Sequence, residues 1–271
     1  MNEIDEKDDS ILAPKTIFLL LLITVGTVLL VGSAAILLGG KSLTLLGEIA
    51  IILPAAIYVI GTRKPFVKTF RLNPVSGKII LLSIFISLSI FVLGDALDRL
   101  VASFFPMPQE MIDAVQSLMT IHSVIDAVIL FSAAVIFAGF AEEMLFRGLL
   151  QRTLEHYREP AIAIVLTAVL FALAHFLPWT ALQITFLGLI LGFMAWKSDS
   201  VFPSIILHGT NNLLSILFMN MNEDSLKWYA SGNFVSIWWT GLALVIFIIA
   251  IKNFSAPAKT HKAQDNYDQE E

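Results

Sequence analysis

Apolar residues run along this chain in long blocks, and short polar segments separate them. Blocks with few charges fall at about residues 17–38, 45–61, 79–94, 124–143, 160–177, 181–196, 201–219 and 233–251. Each approaches the roughly 20 residues that a helix needs to cross the hydrocarbon of a bilayer. Backbone groups in lipid must be satisfied within the segment, so spans of this kind are helices. The pattern predicts an all-α polytopic membrane bundle of about eight transmembrane helices. It forms a single integral membrane domain over residues 1–271, with no soluble second domain.

The pattern changes between the third and fourth blocks. In PMPQEMIDAVQSLMTIHS, Met111, Ile112, Val115, Leu118 and Met119 share one helical face. That spacing suits a helix lying on the membrane surface or a packed connecting helix. Gly188 and Gly192 form a small-xxx-small pair, a signal of close helix packing. From about residue 255 to 271 the chain is polar and mixed in charge, as a disordered tail is.

Composition sharpens this picture. With 57% hydrophobic and 14% charged residues, the chain is more apolar than a soluble domain of its length. Its leading residues MNEIDEKDDS are acidic where a secretory signal is basic, so the first block is expected to remain as a helix. The absence of cysteine excludes disulfides, thiolate metal sites and cysteine nucleophiles.

Charge gives the orientation. With the amino terminus in the cytoplasm, only Lys41, Arg99 and Lys227 of the seventeen Lys and Arg fall outside, leaving fourteen inside. The positive-inside bias then predicts both termini inside, in what we expect to be a bacterial plasma membrane. Trp179, Trp228 and Tyr229 would sit at the outer interface and Trp196 at the inner one. The loop TRKPFVKTFRLNPVSGK reads as a topology signal that could also touch anionic lipid. The expected partners are the bilayer and a membrane-associated peptide or protein, with no nucleic acid.

Ionisable residues at membrane depth usually face a cavity or a partner. The candidates are Glu48, Asp126, Glu142, Glu143, Arg147, His175 and His208, with Asn211 and Asn212 beside the last. Glu48, Asp126 and Asn211 receive no role. In FAGFAEEMLFRGLL, residues 137–150, Glu143 and Arg147 are four apart and can pair on one helix face. Glu142 points about 100° away and is left free.

The fourth helix can run past the bilayer and turn near HYREP into the fifth. Glu142 and His175 are then equidistant from the turn and lie at one depth, about 24 Å from its tip at 1.5 Å per residue. His208 reaches a similar level, roughly 12 Å from the inner end of its own span. His208 and Asn212 share a face and make a donor pair suited to an oxyanion. Phe171 and His175 share a face likewise. The residue types present can activate water with a carboxylate, stabilise an oxyanion and protonate a leaving amine.

The E-E-x-x-x-R of Glu142, Glu143 and Arg147, the F-x-x-x-H of Phe171 and His175, and the H-x-x-x-N of His208 and Asn212 occur in this order. In this the chain resembles the CPBP intramembrane proteases. That family includes the type II CAAX prenyl endopeptidases and bacterial proteins linked to bacteriocin processing or self-immunity. The matching core is about residues 124–219. The resemblance implies Glu142 as base for a hydrolytic water, His175 as its partner, His208 and Asn212 as oxyanion stabilisers, and Glu143 with Arg147 as a supporting pair. Phe171 supports His175.

The residues leave the cofactor open. Glu142, His175 and His208 could act without metal, or could hold one divalent ion such as zinc as a two-His, one-carboxylate set. Two other function classes stay in view: a non-catalytic binding or bacteriocin self-immunity protein, and a transporter with an embedded proton relay. Residues 1–120 carry no motif that names a substrate.

Overall fold

The computed structural model describes residues 8–38, 42–232 and 234–255. Lys7, Lys41, Lys259, Lys262 and His261, and the tail from residue 256, lie outside the described residues. Nine helices of ten or more residues follow one another among the described residues: α1 Pro14–Leu38, α2 Ser42–Gly61, α3 Gly77–Phe104, α4 Gln109–Met119, α5 Val124–Tyr157, α6 Pro160–Ala174, α7 Ala181–Ser198, α8 Phe202–Met219 and α9 Ile237–Ser255. Six of these are long and apolar enough to cross a membrane: α1, α3, α5, α7, α8 and α9. The apolar stretches Gly47–Gly61 and Pro160–Ala174 are shorter.

Local chemistry sets the boundaries. Ser76 accepts a hydrogen bond from the Ile79 N–H at the start of α3, and Ser123 accepts from the Asp126 N–H at the start of α5. Each hydroxyl satisfies an amide that has no partner within the helix. Pro160 opens α6, where its missing N–H is not needed. The third block is longer than its apolar core suggested, since α3 continues through Asp95 and Arg99, which pair at 3.0 Å.

The fourth block extends as one helical run of 34 residues to Tyr157, and the chain reverses at Arg158 and Glu159. The fifth block stops short of its expected end. His175 caps α6 and Phe176 adopts φ 55, so the chain turns away before Pro178.

Leaving aside α4, successive long helices alternate in direction between two ends of the bundle. At one end the charged side chains interlock. Arg71 donates to both Glu155 oxygens, at 3.1 and 2.8 Å, and to Asp199 at 2.8 Å. Asn73 donates to the Asp199 carbonyl at 2.7 Å, and Lys64 to the Asp9 carbonyl at 2.6 Å. Arg152 donates to the Lys68 carbonyl. The loop expected to serve as a topology signal is thus a clamp. It binds the tip of the α5–α6 turn to the α7–α8 connection.

At the opposite end Asn220 bonds Ile121 and Met119, Phe105 stacks on Trp179, and the Trp239 indole donates to the Trp228 carbonyl. Ala230–Ser231 and Phe234–Val235 add a two-stranded antiparallel hairpin there that the apolar pattern gave no sign of. Helix α4 lies at this end with none of its residues buried.

Val59, Phe70, Ile86, Leu145, Leu149, Leu191 and Leu207 form the interior. Phe18, Leu30, Ile57, Leu173 and Trp238 face outward, as side chains bathed in lipid do.

Candidate active site

The helical run of α5 is not uniform. Two π-helical segments, Phe131–Phe137 and Met144–Gln151, flank an α-helical turn at Ala138–Glu143. A π segment widens the helix, and such segments gather at functional sites. Here the Ala134 carbonyl accepts from the Asn212 carboxamide of α8 at 2.8 Å. The two helices come close because α8 has Gly209 at the crossing. A Cβ there would lie 3.1 Å from the Val135 carbonyl oxygen.

Glu143 and Arg147 are both fully buried and pair at 2.9 Å. The same Glu143 oxygen also receives His208 Nδ1 at 2.9 Å. A carboxylate only accepts, so Nδ1 carries the hydrogen and Nε2 is the free nitrogen. Glu143 therefore does more than neutralise Arg147: it orients His208 across two helices. Arg147 lies over the Phe171 ring, 4.1 Å from its centroid, a cation–π contact in an apolar setting. Its remaining NH2 group reaches the Gly188 carbonyl at 3.5 Å.

His175 donates Nδ1–H to the Phe171 carbonyl at 2.8 Å, which leaves its Nε2 free as well. Phe171 meets the rings of His175 and His208 edge-on, with centroids 4.8 and 5.9 Å away. One buried phenyl thus fixes both imidazoles and covers the arginine.

Glu142 turns away from this network. With His175, His208 and Asn212 it lines one cavity of about 320 Å³, whose wall also includes Glu48, Val115 and Met119. The Oε2 atoms of Glu142 and Glu48 are buried and make no hydrogen bond to protein. An apolar groove beside α1, lined by Leu21, Val25, Leu29 and Phe146, reaches Glu142 and His175 from the side.

All the residues singled out by spacing, including Phe171, Glu143 and Arg147, thus meet in one region of the bundle. Two more belong with them. Glu48, given no role from the sequence, lines the same cavity, and its only signal was a charge inside an apolar block. Asn211 borders an adjoining cavity with His175 and His208. Asp126 caps the start of α5 and accepts from the His122 N–H, well away from the site. His156 stacks edge-on against Tyr157 at the α5–α6 turn.

Residues 124–214 match the family model for type II CAAX prenyl endopeptidase Rce1-like proteins. Over this segment, about a third of the chain, the protein is similar to that family. The matched segment contains all of α5, α6 and α7, and α8 as far as Leu214, and with them Glu142, Glu143, Arg147, Phe171, His175, His208, Asn211 and Asn212 but not Glu48, Val115 or Met119. Neither a curated protein nor a solved structure matches the chain significantly.

The matched segment supplies a carboxylate with an unpartnered oxygen beside two oriented imidazoles. It does not assemble a metal-ligand set: among the described residues no three His, Asp or Glu side chains are arranged to hold a metal ion. Water in such a cavity would meet an unpartnered carboxylate and hydrogen-bonding groups from α5, α6 and α8.

Proposed function

We propose that this protein is an intramembrane endopeptidase that hydrolyses a peptide bond of a membrane-associated protein or peptide. The observation that carries the reading is the cavity shared by Glu142, His175, His208 and Asn212. The Rce1-like match, a family of proteases, supports it.

In this reading Glu142 takes a proton from water, and the oxygen attacks the scissile carbonyl. His175, tethered through Nδ1, accepts through Nε2 and holds the water against the carbonyl. His208 donates Nε2–H to the oxyanion as an imidazolium whose charge Glu143 balances, and the second N–H of Asn212 donates beside it. Removing one such donor typically lowers kcat about 10²–10³-fold. Glu142 then returns its proton to the leaving amine as the C–N bond breaks. Water and protein groups account for every proton.

The test compares the amino termini of membrane proteins, by mass spectrometry, in cells carrying the native chain or Glu142→Gln at equal abundance. New termini present only with the native chain are expected. Their absence, with both proteins folded, would favour a binding or self-immunity role. A chelator should leave turnover by the purified protein unchanged. Loss of turnover restored by zinc would replace this mechanism with a metal-dependent one.

A further inference from the structure

Three cavities adjoin at the site. Besides the one containing Glu142, a second of about 230 Å³ borders His175 and His208 and is lined by Gln183, Asn211 and Ser215. A third, of about 340 Å³, continues from Gln183, Asn211 and Ser215 to Asp95, Asp98 and Leu226. Ser215 borders all three. Leu226 lies beyond the last turn of α8, at the end of the bundle opposite the basic clamp. The series therefore leads from that end to the imidazoles.

Its lining is polar for a structural reason. His208, Asn211, Asn212 and Ser215 stand at i, i+3, i+4 and i+7, a single stripe along α8. Polar side chains at membrane depth face water or partners rather than lipid, and this stripe faces the cavities.

Toward the clamp no polar-lined path matches it among the described residues: the two voids on that side, which meet at Leu21 and reach Glu142 and His175, have mainly apolar walls. Glu143, Arg147, Gln151, Ser200 and Ser204 have no accessible surface, and Arg71 has 4%. Gln151 fills that side by donating to the Gly192 carbonyl and to Glu155.

We propose that water and substrate enter the site from the end of the bundle opposite the basic clamp, through a passage lined by Asp95, Gln183, Asn211 and Ser215. That this passage carries substrate rests on the protease reading; that it admits water does not.

The chain has no cysteine, so single cysteines are unique probes. Gln183→Cys, Asn211→Cys and Ser215→Cys are each treated with a membrane-impermeant methanethiosulfonate, in right-side-out and in inverted vesicles. Lys68→Cys marks the basic end and Lys227→Cys the opposite one. Variants that elute as the native protein in detergent are scored, and the three positions on two helices guard against one misfolded variant.

The expected result is reaction only from the side on which Lys227→Cys reacts. Reaction only from the Lys68→Cys side, or from neither side, would overturn the proposal. Thiol labelling needs no proteolysis, so a chain that labels as expected yet generates no new termini would refute the protease reading alone.

Discussion

Glu143 takes two hydrogen bonds on one oxygen, from a guanidinium and an imidazole on different helices. Removing one member of a buried charged set leaves the others unpaired, at a cost of about 3–5 kcal/mol. Glu143→Gln should therefore lower the thermal midpoint in detergent strongly, whereas Glu142→Gln should leave it near native. Equal midpoints for the two variants would contradict this division. Glu48 is a different case, because its buried oxygen has no protein partner to lose. Glu48→Gln should lower the midpoint far less than Glu143→Gln while changing turnover; an equally large fall in midpoint would mark Glu48 as structural. The Glu143–Arg147 pair was legible because both residues lie on one helix, four apart. The His208 and Ala134 contacts were not, since each needs the crossing of α5 and α8.

Helix α5 illustrates what a whole element adds. Its first π segment contains Ala134, whose carbonyl accepts from Asn212, and nothing in the apolar spacing of residues 131–151 signals either π segment. The element is also pinned from outside. A Cβ at Gly148 would fall 2.5 Å from the Phe70 carbonyl oxygen, so Gly148→Ala must push back the loop that holds the clamp. Overpacking of this kind costs about 1–3 kcal/mol. The expected result is a lower unfolding midpoint with faster proteolysis after Lys64 or Lys68; native-like resistance would mean that the loop yields freely. Gly188 and Gly192 behave as their spacing suggested. A Cβ at the first would meet Ala168 at 3.0 Å, and at the second the Gln151 Oε1 at 2.7 Å.

Across the molecule, the clamp ties the amino-terminal segment to the α5–α6 turn. Asp8 pairs with Lys68 at 3.1 Å and faces Arg152 at 3.5 Å. Burial alone would raise the Asp8 carboxyl, but hydrogen bonds from the Ser10 hydroxyl and backbone N–H, and from Lys68, outweigh it and hold Asp8 well below the usual carboxylate range. A depressed carboxylate stabilises the fold above its unfolded pKa, about 4 for Asp, and loses that contribution as pH falls below it. Acidification should thus lower the hydrogen-exchange protection of residues 8–13, measured relative to the intrinsic rate at each pH, and Asp8→Asn should show low protection already at neutral pH; a variant whose protection still rises on neutralisation would contradict it. The sequence by itself determined the helical membrane class, the four-residue pairs and the order of the motifs, because hydropathy and helical periodicity are properties of consecutive residues. Only the tertiary structure decided that Glu48 joins Glu142, that Glu143 orients His208, and that the basic loop is a clamp. Each of these depends on which faces of distant helices meet, and that is set by packing at Gly209, Gly148 and Gly188 rather than by any spacing along the chain.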